Sequence, residues 1–139
     1  MELAYHLFTG ALAAVLAGLF NTVAAPALAA LRTGDRGLWR ESTLPAQLAT
    51  LTVHVLVGIG LGLLFWLSWG LTAIVGVPWW LRGGVFALLL WLVCCLPLLA
   101  MQLLSLRLSW KTAASFAIEW LVIFASVGLA CAWTWVKVH

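Results

Sequence analysis

The stretch QLATLTVHVLVGIGLGLLFWL, from Gln47 to Leu67, contains no aspartate, glutamate, lysine or arginine. Its length is close to the roughly 20 residues that a helix needs to cross the hydrocarbon core of a membrane. Long apolar runs of this kind are typical of transmembrane helices. The stretch therefore predicts a membrane span, and it raises the question of why His54 lies inside it.

The rest of the chain has the same character. It has 139 residues, of which 65% are hydrophobic and 8% are charged, and its mean hydropathy is +1.15. Soluble domains carry about 25% charged residues, so most of this chain must face lipid rather than water. The longest polar stretch, Arg32 to Gln47, is only a loop. The composition predicts an all-α membrane protein with a single domain over residues 1–139.

Four apolar segments are long enough to cross a membrane, at about residues 6–31, 47–67, 84–106 and 113–135. They predict a four-helix transmembrane bundle with short loops. Pro97 predicts a kink in the third span, because proline removes one backbone donor from the helix. The segment between the second and third spans, residues 68–84, predicts a short interfacial hairpin.

The distribution of basic residues predicts the orientation. Two Lys or Arg residues, Arg82 and Lys137, lie on one side, and five lie in the first and third loops. Because cytoplasmic loops are enriched in Lys and Arg, we expect an inner-membrane protein of a bacterium with both termini outside the cytoplasm. Anionic lipid headgroups are the expected partners of the five loop residues, which are Arg32, Arg36, Arg40, Arg107 and Lys111. Nucleic acid is not an expected partner.

Small residues recur at helical spacing on two spans. Gly10, Ala14 and Gly18 are four residues apart in the first span, and Gly58 and Gly62 form a GxxxG pair in the second. Helices in lipid associate through such residues because their backbones can approach closely. We predict that these two faces pack within the bundle. An interface with another copy of the chain, or with a larger membrane partner, is the alternative.

A layer of polar residues is predicted in the cytoplasmic half of the bundle. His54 and Glu119 each lie roughly 10 Å from the cytoplasmic start of their spans, at 1.5 Å per residue. Asn21 of the first span, and Cys95 and Gln102 of the third, fall in or near the same half. A charged residue at a helix centre costs about 2.5–3.5 kcal/mol on insertion scales, so ionisable groups in spans usually face the bundle interior or water. These five residues are the predicted substrate or proton site.

The pairing of a carboxylate with an imidazole suggests a function. Two such groups in contact titrate as one unit, which suits proton transfer. The sequence therefore favours a small proton-coupled solute transporter or channel, in which Glu119 and His54 line a cavity open to the cytoplasm. The alternative is a non-catalytic accessory or assembly subunit of a larger membrane complex, in which the same residues form a structural brace.

Other chemistry is not indicated. The sequence contains no nucleophile–base arrangement and no phosphate-binding loop, so an enzyme is not expected. His54, Glu119 and Cys95 include no pair at i, i+4 spacing, and haem would need a second histidine at mid-membrane depth. Neither a metal nor a cofactor is therefore expected. His6 is expected near the outer surface of the membrane.

Overall fold

A computed structural model describes residues 2–29, 43–68, 76–106 and 109–138, and these are almost entirely helical. The elements are α1 (Glu2–Ala29), α2 (Leu44–Leu67), α3 (Trp79–Leu90), a π-helical turn (Trp91–Cys95), α4 (Leu96–Leu106) and α5 (Trp110–Val138). Among the described residues, four segments are long and apolar enough to cross a membrane: Glu2–Leu28, Leu44–Leu67, Trp79–Leu104 and Trp110–Val138. The prediction of an all-α, four-span membrane protein is confirmed.

The third span begins earlier than its hydropathy predicts. The expected interfacial hairpin over residues 68–84 is wrong for Trp79 onward, because α3 begins there; residues 69–75 lie outside the described part of the chain. Pro78 is the N-cap residue of α3, and its backbone is extended. The amides of the third and fourth residues after it donate to its carbonyl oxygen, at 3.0 and 3.2 Å. Proline suits the start of a helix because the backbone N–H that it lacks would have no acceptor within the helix.

α5 is the central helix of the bundle. It packs along α1 and along α3 and makes smaller contacts with α2 and α4, whereas α2 packs mainly on α1. The ring of Phe65 on α2 meets the ring of Phe86 on α3 edge to face, with centroids 4.9 Å apart, and this contact closes the bundle. We call the end where α1 begins and α5 ends the terminal end. The opposite end, where α1 ends and α5 begins, is the loop end.

The interior between these ends is apolar. Its buried side chains come from α1, α2, α3 and α5, and they are Ala14, Ala17, Leu61, Phe65, Phe86, Ala87, Ile123, Phe124, Val127, Cys131 and Ala132. Five of these eleven belong to α5, which fits its central position. Most of the large apolar side chains on the outer faces are exposed to the surroundings, which for a membrane protein are lipid.

Glycines set the distance between α1 and α2. Gly10 lies directly against Gly58, so that a Cβ on either residue would overlap the carbonyl oxygen of the other. A Cβ on Gly62 would overlap the carbonyl oxygen of His6 in the same way. Ala14 is fully buried, and its methyl group lies 2.8 Å from the place where a Gly58 Cβ would stand. The small-residue faces of the first two spans therefore pack against each other within one chain.

A second glycine contact joins α3 to α5. A Cβ on Gly83 would stand 2.6 Å from the Gly128 carbonyl oxygen, and a Cβ on Gly128 would stand 2.6 Å from that of Gly83. Each glycine is followed four residues later by a buried alanine, Ala87 or Ala132. This small-xxx-small spacing is visible in the sequence and is the signal for the contact. Two helix pairs in the bundle thus meet backbone to backbone.

The third span is irregular before Pro97, where the sequence predicts a kink. The irregularity takes the form of the π turn over Trp91–Cys95, which ends two residues before the proline. A π turn widens the hydrogen-bonded ring and is one of the recognised local causes of helix irregularity. Beyond it α4 contacts α5 only sparsely, and Leu99 is its buried side chain.

Replacing Gly58 with alanine is expected to destabilise the bundle, because the added methyl group overlaps the backbone of α1. Overpacking of this kind costs about 1–3 kcal/mol. Gly60→Ala is the matched control, since a Cβ at Gly60 meets nothing within 4 Å. Unfolding of the purified variants in detergent should show a lower midpoint for G58A and an unchanged or higher one for G60A. Equal midpoints would contradict the glycine contact.

Candidate functional site

Hydrogen bonds from two other spans converge on a short segment of α5, residues 117–120. Nδ2 of Asn21 on α1 donates to the backbone carbonyl oxygen of Glu119 at 3.0 Å. Nε1 of Trp91, in the π turn, donates to the backbone carbonyl oxygen of Ala117 at 3.0 Å. Both acceptors are backbone carbonyl oxygens of a regular helix, so the two bonds link α1 and the third span to α5 without breaking the hydrogen bonds within α5. They hold α5 at a fixed depth relative to α1 and the third span.

His54 of α2 reaches the same segment. Its ring stacks on Trp120, with centroids 6.2 Å apart and planes 6° apart. Its other neighbour is Gly18 of α1, where a Cβ would stand 2.8 Å from Cδ2 and 2.9 Å from Nε2 of the ring. The ring thus fits between α1 and α5 because residue 18 has no side chain. We call Gly18, Asn21, His54, Glu119 and Trp120 the His54 layer.

The hydrogen bond of His54 determines its tautomer. Nδ1 lies 2.7 Å from the carbonyl oxygen of Thr50, one helical turn earlier. A carbonyl oxygen can only accept, so Nδ1 carries the proton and donates it. In the neutral ring Nε2 then carries a lone pair and can accept a proton or bind a cation.

Glu119 is partly buried at the depth of His54. The hydrogen bond of the His54 imidazole goes to the backbone of Thr50. Trp120, which stacks on that imidazole, and Glu119 are consecutive, so their side chains leave α5 about 100° apart. The structure therefore brings His54, Asn21 and Glu119 to one depth.

The two site residues predicted on the third span share no hydrogen bond with this layer. Cys95 is buried at the end of the π turn as a free thiol, and Gln102 is exposed on α4. Within the described residues, no hydrogen bond joins either of them to Asn21, His54 or Glu119. The exposure of Gln102 follows from the sparse packing of α4 on α5, which hydropathy alone does not reveal.

A second histidine layer lies near the terminal end. His6 is 0% exposed, and its ring lies nearly parallel to that of Phe65, with centroids 6.1 Å apart and planes 15° apart. The ring of Trp135 meets it at a steeper angle, at 5.5 Å and 64°. Nδ1 of His6 lies 3.0 Å from the carbonyl oxygen of Glu2 and donates to it. The ring therefore repeats the arrangement of His54, with Nδ1 bonded to the preceding turn.

Polar groups of α1 and α5 contact each other close to His6. Sγ of Cys131 donates to the carbonyl oxygen of His6 at 3.9 Å, and the hydroxyls of Thr134 and Thr9 lie 3.3 Å apart. We call His6, Thr9, Cys131 and Thr134 the His6 layer. The sequence signal for it is the i, i+3 spacing of polar residues on both spans, which places each pair on one helix face.

The two layers are separated by dry packing. From Glu119 to Cys131 the distance along α5 is about 18 Å, at 1.5 Å per residue. Between them lie Ala14 and Val127, both 0% exposed, and Ile123, which is 2% exposed. The bundle thus has a polar layer toward each end and a tightly packed apolar middle.

Comparison with protein families, with curated proteins and with solved structures found no match for this chain. Within the described residues, no three His, Cys, Asp or Glu side chains are grouped so that they could hold a metal ion. Fold and site together define an integral membrane protein, a helical bundle with two histidine layers.

Removing the indole donor of Trp91 is expected to weaken the tie between the third span and α5. Trp91→Phe keeps an aromatic ring but loses the bond to Ala117, and hydrogen bonds between spans contribute about 0.6 kcal/mol on average and up to about 1.7. Trp80→Phe is the control, because Trp80 lies on the same span and is 56% exposed. Detergent unfolding should show a larger loss of stability for W91F than for W80F, and the reverse order would contradict the tie.

Proposed function

We propose that this chain is a small proton-coupled transporter or channel in which Glu119 takes up and releases the proton. The observation that supports the proposal is a partly buried carboxylate inside a span, at the depth where three other spans contact α5. Ionisable residues at such depth are costly and are typical of ion and proton paths.

The surroundings of Glu119 suit a group whose charge changes. Asn21 and Trp91 bond to backbone carbonyl oxygens of α5 and not to the carboxylate. Their bonds therefore persist whether Glu119 is charged or neutral. A site that must gain and lose a proton repeatedly needs supports that do not depend on its charge, because otherwise each proton would loosen the helix packing.

His54 supplies a second proton acceptor at the same depth. With Nδ1 bonded to Thr50, the lone pair of the neutral ring is on Nε2. The ring of Trp120 lies parallel to the imidazole, with centroids 6.2 Å apart. The carboxylate of Glu119 and the neutral imidazole of His54 are thus two proton acceptors, and each can take up a proton independently of the other.

The proposal includes an orientation. Of the seven Lys and Arg residues, three lie between α1 and α2 in the sequence and two lie where α4 is followed by α5, and cytoplasmic ends of spans are enriched in these residues. We infer that the loop end faces the cytoplasm of a bacterial cell and that the His54 layer is open to that side. The His6 layer then lies toward the outer face.

A second candidate function is favoured by the loose attachment of α4. A non-catalytic subunit of a larger membrane complex needs a face that its own bundle leaves uncovered. α4 exposes the apolar side chains of Leu98, Met101 and Leu104, and it also exposes Gln102. A polar side chain on the outside of a span is a group to which another helix can hydrogen-bond.

Proton flux into liposomes containing the purified chain tests the first function. We expect flux in the parent protein, and Glu119→Gln should lower it by roughly tenfold or more, because an amide cannot carry the proton. Glu41→Gln is the matched control, since it removes the same charge from the sequence between the first two spans rather than within a span. His54→Gln should give an intermediate loss.

Two results would contradict this function. One is the absence of flux in the parent protein, and the other is equal flux in the parent and in E119Q when both have the same unfolding midpoint. The second candidate function predicts no flux in any variant. It also predicts that Gln102→Leu, but not Thr52→Val on the exposed face of α2, dissociates the chain from a larger assembly in mild detergent.

A further inference from the structure

His6 combines complete burial with an incomplete set of hydrogen bonds. The residue is 0% exposed, and none of the described residues gives its Nε2 a hydrogen-bond partner. Buried polar groups are nearly always hydrogen-bonded, so an orphaned nitrogen needs an explanation. The ring is also held on both sides, by Phe65 and by Trp135, so it is not free to turn its nitrogen elsewhere.

The chemistry of the orphaned nitrogen follows from its partner on the other side of the ring. Nδ1 donates to the carbonyl oxygen of Glu2, so in the neutral ring Nε2 is an acceptor with a lone pair. Such a nitrogen can accept a hydrogen bond, bind a metal ion or take up a proton. A metal does not fit, because the described residues offer no group of three ligands and the Cys131 thiol already donates to the His6 carbonyl.

We propose that His6 is a proton-binding site that serves the terminal end of the bundle. The face of Phe65 lies almost parallel to the imidazole, which is the geometry in which an aromatic ring attracts a cation, and this attraction is stronger away from water. His6 is also only about 6 Å along α1 from the helix start at Glu2, at 1.5 Å per residue.

The charged and titratable groups around His6 are few. α1 has Glu2 one turn before it, α3 has Arg82 at the same end, and α5 has Cys131 beside it. Lys137 of α5 lies over the ring of Trp133, 5.8 Å from its centroid, and is exposed. α2 has no titratable side chain other than His54. Glu2 is the acidic residue of α1 at this end.

This site extends the proposed function to the other side of the membrane, and only its role in transport rests on that function. A proton on His6 and a proton on Glu119 would lie at opposite ends of the apolar middle, roughly 20 Å apart along the helices at 1.5 Å per residue. Proton binding itself does not require that the chain transports anything. The two claims can therefore fail separately.

The test is nitrogen NMR of the full chain, labelled at its histidines and reconstituted in liposomes. We expect the histidine signal that His6→Phe removes to be neutral with the proton on Nδ1 at high pH and to become protonated on Nε2 between about pH 8 and pH 5, the range in which histidines change charge. His6→Phe, which keeps a ring between Phe65 and Trp135, should remove this signal and leave that of His54. His54→Gln should leave it in place.

Two outcomes would overturn the inference: a His6 signal that stays neutral over the whole range, or a neutral ring with its proton on Nε2. Flux measurements on the same samples separate this inference from the proposed function. Titration of His6 without flux in any variant would contradict transport and retain the site. Flux that depends on Glu119, together with a His6 signal that does not titrate, would retain transport and contradict the site.

Discussion

The contact of glycine backbones is the constraint on which the rest of this structure depends. Helices in lipid gain no hydrophobic advantage from association, so their packing rests on close approach and on hydrogen bonds. Gly10 meets Gly58, and Gly83 meets Gly128, at distances that no other residue allows. Because these contacts set the spacing of α1 from α2 and of α3 from α5, they also set the space that remains for every larger side chain.

Both histidine rings occupy space that this close packing defines. His54 lies against Gly18, and the backbone of His6 lies over Gly62. In each case the ring donates to the carbonyl of the preceding turn and stacks on an aromatic side chain of another helix. The polar side chains thus bond to helix backbones rather than to one another. Each layer stabilises the packing while leaving a ring nitrogen with a lone pair.

Much of this arrangement can be predicted from the sequence, because depth in a membrane follows from counting residues. The helical rise is constant, so the common depth of His54, Asn21 and Glu119 follows from their positions in the chain. Which helices are neighbours does not follow in the same way. Gln102 has a suitable depth, but it is exposed on α4, the half of the third span that contacts α5 only sparsely.

The same reasoning explains why the His6 layer is hard to find in the sequence. Counting places His6 near the surface of the membrane, where a histidine is expected to meet water. Its burial depends on Phe65 and Trp135, which come from the far ends of two other helices. The contact of Gly83 with Gly128 is different, since small-xxx-small spacing on both helices indicates it. Which two helices pair through such glycines still depends on the arrangement of the helices in space.

The sparse packing of α4 has a consequence for the way this protein responds to its bilayer. The first half of the third span is held by the Gly83 contact and by the bond of Trp91, whereas the half after the π turn has little to hold it. Spans adapt to a thinner or thicker membrane by tilting or bending. A change in membrane thickness would therefore be absorbed first by α4, so that both histidine layers keep their geometry in membranes of different composition.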